Sequence, residues 1–277
     1  MGVTWNIGVL TVADLPQCLA LAQERGWPAE EGKWRLLFEL GTVWGARDDS
    51  GDVVGTAIVT RYGTSLAVLS MVLVASRHGG QGLGRQLVTQ ALATTRTRTA
   101  ALFATEAGRP LYEKFGFTAV EDLHTYVGSV PGHATACSRP ATPEDVPAIA
   151  ALDAAIVGAP RGELVQRLLS FATRLHVVEL DDDIVGYGAA WRNLGQLMIG
   201  PVVAADRRAA ATLIGDLAHG SGGSVRVDLL DHERELRDWV ESAGATLRGS
   251  TTLMVSGSSA FPGDRGRWFS PVMQALA

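Results

Sequence analysis

Val72-Leu-Val-Ala-Ser-Arg-His-Gly79-Gly-Gln-Gly82-Leu-Gly84-Arg-Gln-Leu87 runs from an apolar stretch, through closely spaced glycines, into a helical pattern. The apolar run from Leu66 to Val74 predicts a buried strand, and the spacing from Leu83 to about Thr95 predicts a helix. Glycines so close together let a backbone approach a ligand with no Cβ in the way. The free N–H groups and dipole at the start of the helix then favour an anion, typically a phosphate. Two familiar phosphate loops are excluded. No Gly-Lys-Ser or Gly-Lys-Thr follows, and Leu87 stands where a dinucleotide fingerprint needs glycine.

Outward from this loop the chain reads twice. Thr11-Val-Ala-Asp14-Leu-Pro16 resembles Thr142-Pro-Glu-Asp145-Val-Pro147, and Asp52-Val-Val-Gly55 resembles Asp183-Ile-Val-Gly186. Val74-Ala75 matches Val203-Ala204, and Gly116 after Glu-Lys-Phe matches Gly244 after Glu-Ser-Ala. The order is kept and the separation is nearly constant, which marks an internal repeat. Each copy opens on a capping box with Asp in the acidic place, predicting helices from Leu15 to Arg25 and from Val146 to Ala155. Strands from Thr42 to Arg47 and Val53 to Tyr62 flank the Asp48 to Asp52 turn. In the second copy, strands from His176 to Leu180 and Ile184 to Trp191 flank Asp181 to Asp183. A strand from Ala100 to Thr105 and a helix from Gly108 to Phe115 complete the first copy. The pattern predicts an α/β fold of two tandem units, each a twisted mixed sheet flanked by helices. The expected domains are 1–131 and 132–277, with the boundary near Gly132 in the linker that starts at Gly128.

A length of 277 residues suits two domains, and 47% apolar with 19% charged residues is an ordinary globular composition. The net charge of −5 argues against a nucleic-acid partner, which would want a basic stripe. Cys18 and Cys137 are expected to be buried, reduced thiols. No basic region with a following apolar stretch opens the sequence, and its longest apolar run falls short of a membrane span. A cytoplasmic protein with no membrane partner is expected. The histidines lack metal-ligand spacing, so no metal is expected either.

The glycine stretch resembles the acetyl-CoA signature of the GNAT superfamily of N-acetyltransferases: Gln or Arg, two residues, Gly, any residue, then Gly or Ala. Gly82 and Gly84 fit its small positions, while Gly79 stands where Gln or Arg is usual, with Arg77 or Arg85 as candidate replacements. A second block, Thr105-Glu-Ala-Gly108-Arg-Pro-Leu-Tyr112-Glu-Lys-Phe-Gly116-Phe117, resembles the superfamily's later helix. Thr105 takes the place where many members carry Asn. The resemblance implies that Val72, Leu73 and Val74 pair with the pantetheine arm of acetyl-CoA. It also implies that Gly79, Gly80, Gln81, Gly82, Leu83, Gly84 and Arg85 hold the pyrophosphate, with Thr105 nearby.

In this family a primary amine, from a small molecule or a peptide, attacks the thioester directly in a ternary complex. The motif positions Tyr112 to protonate the departing thiolate; a core tyrosine beside Phe115 and Phe117 is the alternative. Leu66 to Met71 carries no acid, so the base stays open among Glu106, His124, the Asp48 to Asp52 turn and water. The second copy has no glycine loop, and Val240 stands where Tyr112 would fall. It resembles the degenerate second domain of tandem proteins in a bacterial subgroup. Its expected role is to wall the acceptor pocket or to hold two chains together as a homodimer. A CoA-binding sensor or scaffold without turnover is the competing class. Trp27, Trp34, Trp44 and the segment from Phe261 to Met273 are further candidates for the acceptor site or for packing.

Overall fold

The computed structural model describes residues 5–130 and 137–277, so the boundary near Gly132 lies outside the described residues. The first half runs β1 (Asn6–Val9), α1 (Leu15–Glu24), α2 (Glu31–Leu40), β2 (Gly41–Arg47), β3 (Val53–Tyr62), β4 (Leu66–Val74), α3 (Leu83–Ala93), β5 (Thr99–Ala104), α4 (Arg109–Glu113) and β6 (Thr118–Gly128). The second runs β7 (Arg139–Pro140), α5 (Val146–Val157), α6 (Gly162–Phe171), β8 (Arg174–Leu180), β9 (Asp183–Asn193), β10 (Gln196–Ala204), α7 (Arg207–Ala218), β11 (Val225–Leu230), α8 (Arg234–Ser242), β12 (Ala245–Ser256) and β13 (Trp268–Ser270).

Both capping boxes form. Asp14 and Asp145 close on the backbone of Thr11 and Thr142, starting a short 3₁₀ turn that feeds α1 and α5. In α1 the buried positions Leu15, Cys18, Leu21 and Ala22 follow the helical period and turn one face to the sheet. Helix α5 stops at Gly158, whose φ of +74° and close approach to the Gly263 backbone admit no side chain. Cys18 is buried as expected, but Cys137 is exposed, because it lies at the start of the short segment leading into β7. Among the described residues no helix is long and apolar enough to cross a membrane.

All strands join one sheet, in the order β1-β2-β3-β4-β5-β12-β6-β11-β10-β9-β8-β7, with β13 pairing β10 off this path. The halves exchange strands at its centre. Strand β12 enters the first half between β5 and β6, pairing Thr252 with Ala104 and Leu253 with Glu121. Reciprocally, β6 lies between β12 and β11, pairing Thr125 with Asp228. Neither half closes its sheet with its own strands. Across the halves, Glu30 before α2 accepts a 2.5 Å hydrogen bond from Asn193 at the end of β9. This brings the α1–α2 loop over the face of the second half.

Candidate functional site

Strand β4 carries an irregularity at Met71, whose φ of +48° is rare for a side-chain-bearing residue. The β3 register shifts there, and Thr56 Oγ1 donates to the Met71 carbonyl at 2.8 Å. The bulge bends β4 away from β5, which pairs with it only from Leu66 to Val68. Beyond Val68 that edge of β4 meets no other strand among the described residues, so Val72 and Val74 border an open gap. The second half repeats the bulge between Ile199 and Val202, and β11 follows β10 only from Leu197 to Ile199. There the gap is filled. Strand β13 pairs with β10 through Val202–Ser270 and Val203–Trp268, on the edge that β11 vacates.

After β4, residues 75–82 form an eight-residue loop into α3. Gly80 (φ +73°) and Gly82 (φ +84°) adopt left-handed backbone, so glycine is needed at these two positions. Gly82 is the N-cap of α3 and no side chain caps the helix, leaving the N–H groups of Leu83, Gly84 and Arg85 without intrahelical partners. Gly79 has ordinary backbone, and a Cβ on Gly84 would make only normal contacts with Val74 and Leu111. Arg77, a candidate substitute for the missing anchor, is held by Asp48 at 2.9 Å, and Gln81 folds back onto the Arg77 carbonyl. Arg85 is exposed beside the helix start. In the second half only residues 205–206 separate β10 from α7, and Asp206 itself caps the helix at Ala209 N, 2.8 Å away. A carboxylate of the chain itself therefore already meets an N–H at the second helix start, where an open anion site would need it free. Loop shortening adds to the replacement of glycines there.

Tyr112 lies on α4, whose neighbouring Leu111 stands beside Gly84 at the start of α3. Its ring meets Phe117 edge-on at 6.2 Å, and burial pushes its hydroxyl up to about 12. Thr105 follows β5, and its Oγ1 accepts from Gly108 N at 3.2 Å, fixing the turn into α4. At the Tyr112 position the second half has Val240, fully buried in α8.

A cavity of about 140 Å³ lies between the halves. Its walls include Leu69, Ser70 and Met71 from the β4 bulge, Phe103 from β5 and Thr105 just after it, and Trp27, Glu30 and Lys33 from the α1–α2 region. The second half adds Trp191, Met198, Arg226, Asp228 and Thr251, with residues 271–275 across them. The tail segment thus does line a pocket as well as dock, Trp268 stacking on Phe261 at 4.7 Å. Of the tryptophans noted in sequence, Trp27 lines the cavity, Trp34 is fully buried and Trp44 is half-buried.

The candidate bases do not gather here. Glu106 is exposed beyond β5, and Asp48 holds Arg77. His124 alternates to the sheet face opposite Thr125 and Asp228, where it bonds Ser250 and Asp231 at 2.9 Å each. The carboxylates at the cavity are Glu30 and Asp228, which sequence reading passed over. Among the described residues no three His, Cys, Asp or Glu side chains form a group that could hold a metal ion.

A bulged, splayed strand runs into an uncapped glycine loop, and comparison with known proteins says which family shares this arrangement. Models of the acetyltransferase (GNAT) domain match residues 39–119 and 149–270. The chain belongs to the GNAT acetyltransferases, with two such domains in tandem, and is an acyltransferase; GNAT domains generally use acetyl-CoA. It is 29% identical over 272 residues to an uncharacterized N-acetyltransferase, YitH, of Bacillus subtilis (strain 168), covering 93% of each chain. Among solved structures, a putative acetyltransferase from Pyrococcus horikoshii superposes with a TM-score of 0.84 at 18% identity, over 99% of this chain and 96% of that one. A tandem GNAT protein from the clavulanic acid biosynthesis pathway gives 0.64 at 14% identity, over 93% and 100%. These two likenesses establish the shared fold.

Proposed function

We propose that the first half transfers an acetyl group from acetyl-CoA to a primary amine by direct attack in a ternary complex. The observation that carries this reading is the open edge of β4 leading into the uncapped start of α3, a combination absent from the second half. Val72, Leu73 and Val74 would run beside the pantetheine arm, and the N–H groups from Gly82 to Arg85 would take the pyrophosphate. The neutral amine attacks the thioester carbonyl, a C–N bond forms, the nitrogen gives its extra proton to water, from which Tyr112 is later reprotonated, and the C–S bond breaks. A backbone N–H on the bulged strand steadies the developing oxyanion. Tyr112 gives its proton to the departing thiolate, and its raised pKa keeps that proton in place at neutral pH. Residues 1–131 are then the live copy, and 132–277 a retired copy that walls the acceptor cavity. Isothermal titration tests this: acetyl-CoA is expected to fill one site per chain, and Gly82→Trp to abolish it. Two sites, or none, would overturn it.

A further inference from the structure

We infer that the acceptor is a small zwitterion of amino-acid size, read chiefly by residues of the second half; this rests on the acetyl-transfer reading above. The cavity of about 140 Å³ is smaller than the roughly 300–1,000 Å³ of sites for drug-sized ligands. Among the described residues its four charged side chains cancel. Lys33 binds Glu30, and Arg226 binds Asp228 through two 2.9 Å hydrogen bonds. Burying an uncompensated charge beside two closed ion pairs is costly, so an occupant with no net charge is favoured.

The two pairs are not equally closed. Asp228 Oδ1 accepts from Thr125 Oγ1 (2.8 Å) and Arg226 Nε, and Oδ2 from Arg226 Nη2 and Gln274 Nε2 (3.1 Å), which fills its four lone-pair positions. Glu30 accepts one bond on each oxygen, from Lys33 and Asn193, and keeps capacity for two more. An ammonium therefore goes to Glu30, which shares the cavity with the β4 bulge.

The opposite end asks for an oxygen. Trp191, Met198 and Arg226 stand in register on β9, β10 and β11, so their side chains share one face. Trp191 is 2% exposed, and its indole N–H has no partner among the described residues. An indole N–H can only donate, so an alkylamine or polyamine would leave it unsatisfied, whereas a carboxylate meets both it and the Arg226 guanidinium. The hydroxyls of Ser70 and Thr251, without partners among the described residues, line the same cavity and suit either end of such a ligand.

The test measures CoA release by the full chain with leucine, leucinamide and 3-methylbutylamine, then with the other amino acids as matched sets. At least one amino acid is expected to exceed its amide and its decarboxylated amine by about 10²-fold in kcat/KM. Trp191→Phe keeps an aromatic ring against Phe171 and loses the N–H together with the pyrrole ring; it should raise KM for that amino acid about tenfold, with acetyl-CoA affinity unmoved. Amides or plain amines serving equally well would overturn the inference. So would acetyl-CoA binding without turnover of any amino acid, or an unaltered KM in Trp191→Phe. Failure to bind acetyl-CoA would instead sink the acetyl-transfer reading, and this inference with it.

Discussion

Gly82 and Asp206 hold the same place in the two halves, each the N-cap of the helix after the bulged strand, and they treat its N–H groups oppositely. Gly82 leaves them open, whereas Asp206 fills one of them with its own carboxylate. The first half thus leaves its helix start open, and the second closes its own with a carboxylate. The shorter loop and the β13 strand reinforce that closure.

Gly82→Asp should convert the live site into a copy of the dead one. Asp tolerates the left-handed backbone at a cost of about 1–2 kcal/mol, so the fold should survive. Its carboxylate would compete with the pyrophosphate, and acetyl-CoA affinity should fall about 10²-fold or more by titration. Asp206→Ala should cost about 1 kcal/mol of stability and add no second site. A second equivalent of acetyl-CoA bound by that variant would show that the short loop is no barrier.

Tyr112→Phe separates a general acid from a packing residue. The ring and its contact with Phe117 remain, so thermal stability and acetyl-CoA affinity should stay level. Turnover should fall by about 10²-fold or more. The pH profile adds an independent sign. Because burial pushes this hydroxyl up to about 12, it stays protonated across the neutral range. No loss of kcat below about pH 10 should belong to Tyr112. A descending limb near neutral pH that the variant abolishes would refute that environment.

Much of the fold was legible because local pattern decides it. Strands β3 and β4 match the reading end to end, and both capping boxes form where Thr and Asp were spaced for them. Helix α2 was not anticipated, since its N-cap Glu30 makes no capping bond and gives no start signal. The exchange of β6 and β12 was invisible for a deeper reason. Alternation fixes which face of a strand is buried, but not which distant edge it pairs with. The site divides along the same line. Glycine loop and Tyr112 are contiguous motifs, whereas the cavity gathers Glu30, Trp191 and Asp228 from remote elements. One signal was available: Val225-Arg-Val-Asp-Leu-Leu230 sets two opposite charges on one face of an apolar strand.

His232 gives a prediction in pH. Its Nδ1 lies 3.0 Å from Glu121, and that hydrogen bond raises its pKa above histidine's usual range despite partial burial and the nearby Arg265. A raised folded-state pKa means that the native chain binds a proton more tightly than the unfolded one. The pair's contribution is therefore complete below about pH 6.5 and is lost as pH climbs through the folded value. The Tm gap between wild type and His232→Gln should be widest near pH 6 and narrow as the pH rises from there. A gap that widens over that rise would reverse the sign and remove the pairing as its cause.

Arg161 and Asp153 are both fully buried, bonded to each other at 2.9 and 2.5 Å, with Tyr187 donating to the same carboxylate at 2.5 Å. Arg161 also donates to the Ala277 carbonyl, and Tyr62, under its guanidinium, donates to that of Leu276 at 2.8 Å. The pair therefore anchors the segment that crosses the cavity between the halves. Arg161→Met strands a carboxylate in the interior and should destabilise the chain by about 3–5 kcal/mol in denaturant unfolding. Adding Asp153→Leu removes the stranded charge, so the double variant should be more stable than Arg161→Met alone. Loosening residues 271–275 should also raise KM for the amine well above any change in acetyl-CoA affinity. If KM holds while stability falls, the anchor serves the fold alone and the cavity wall stands without it.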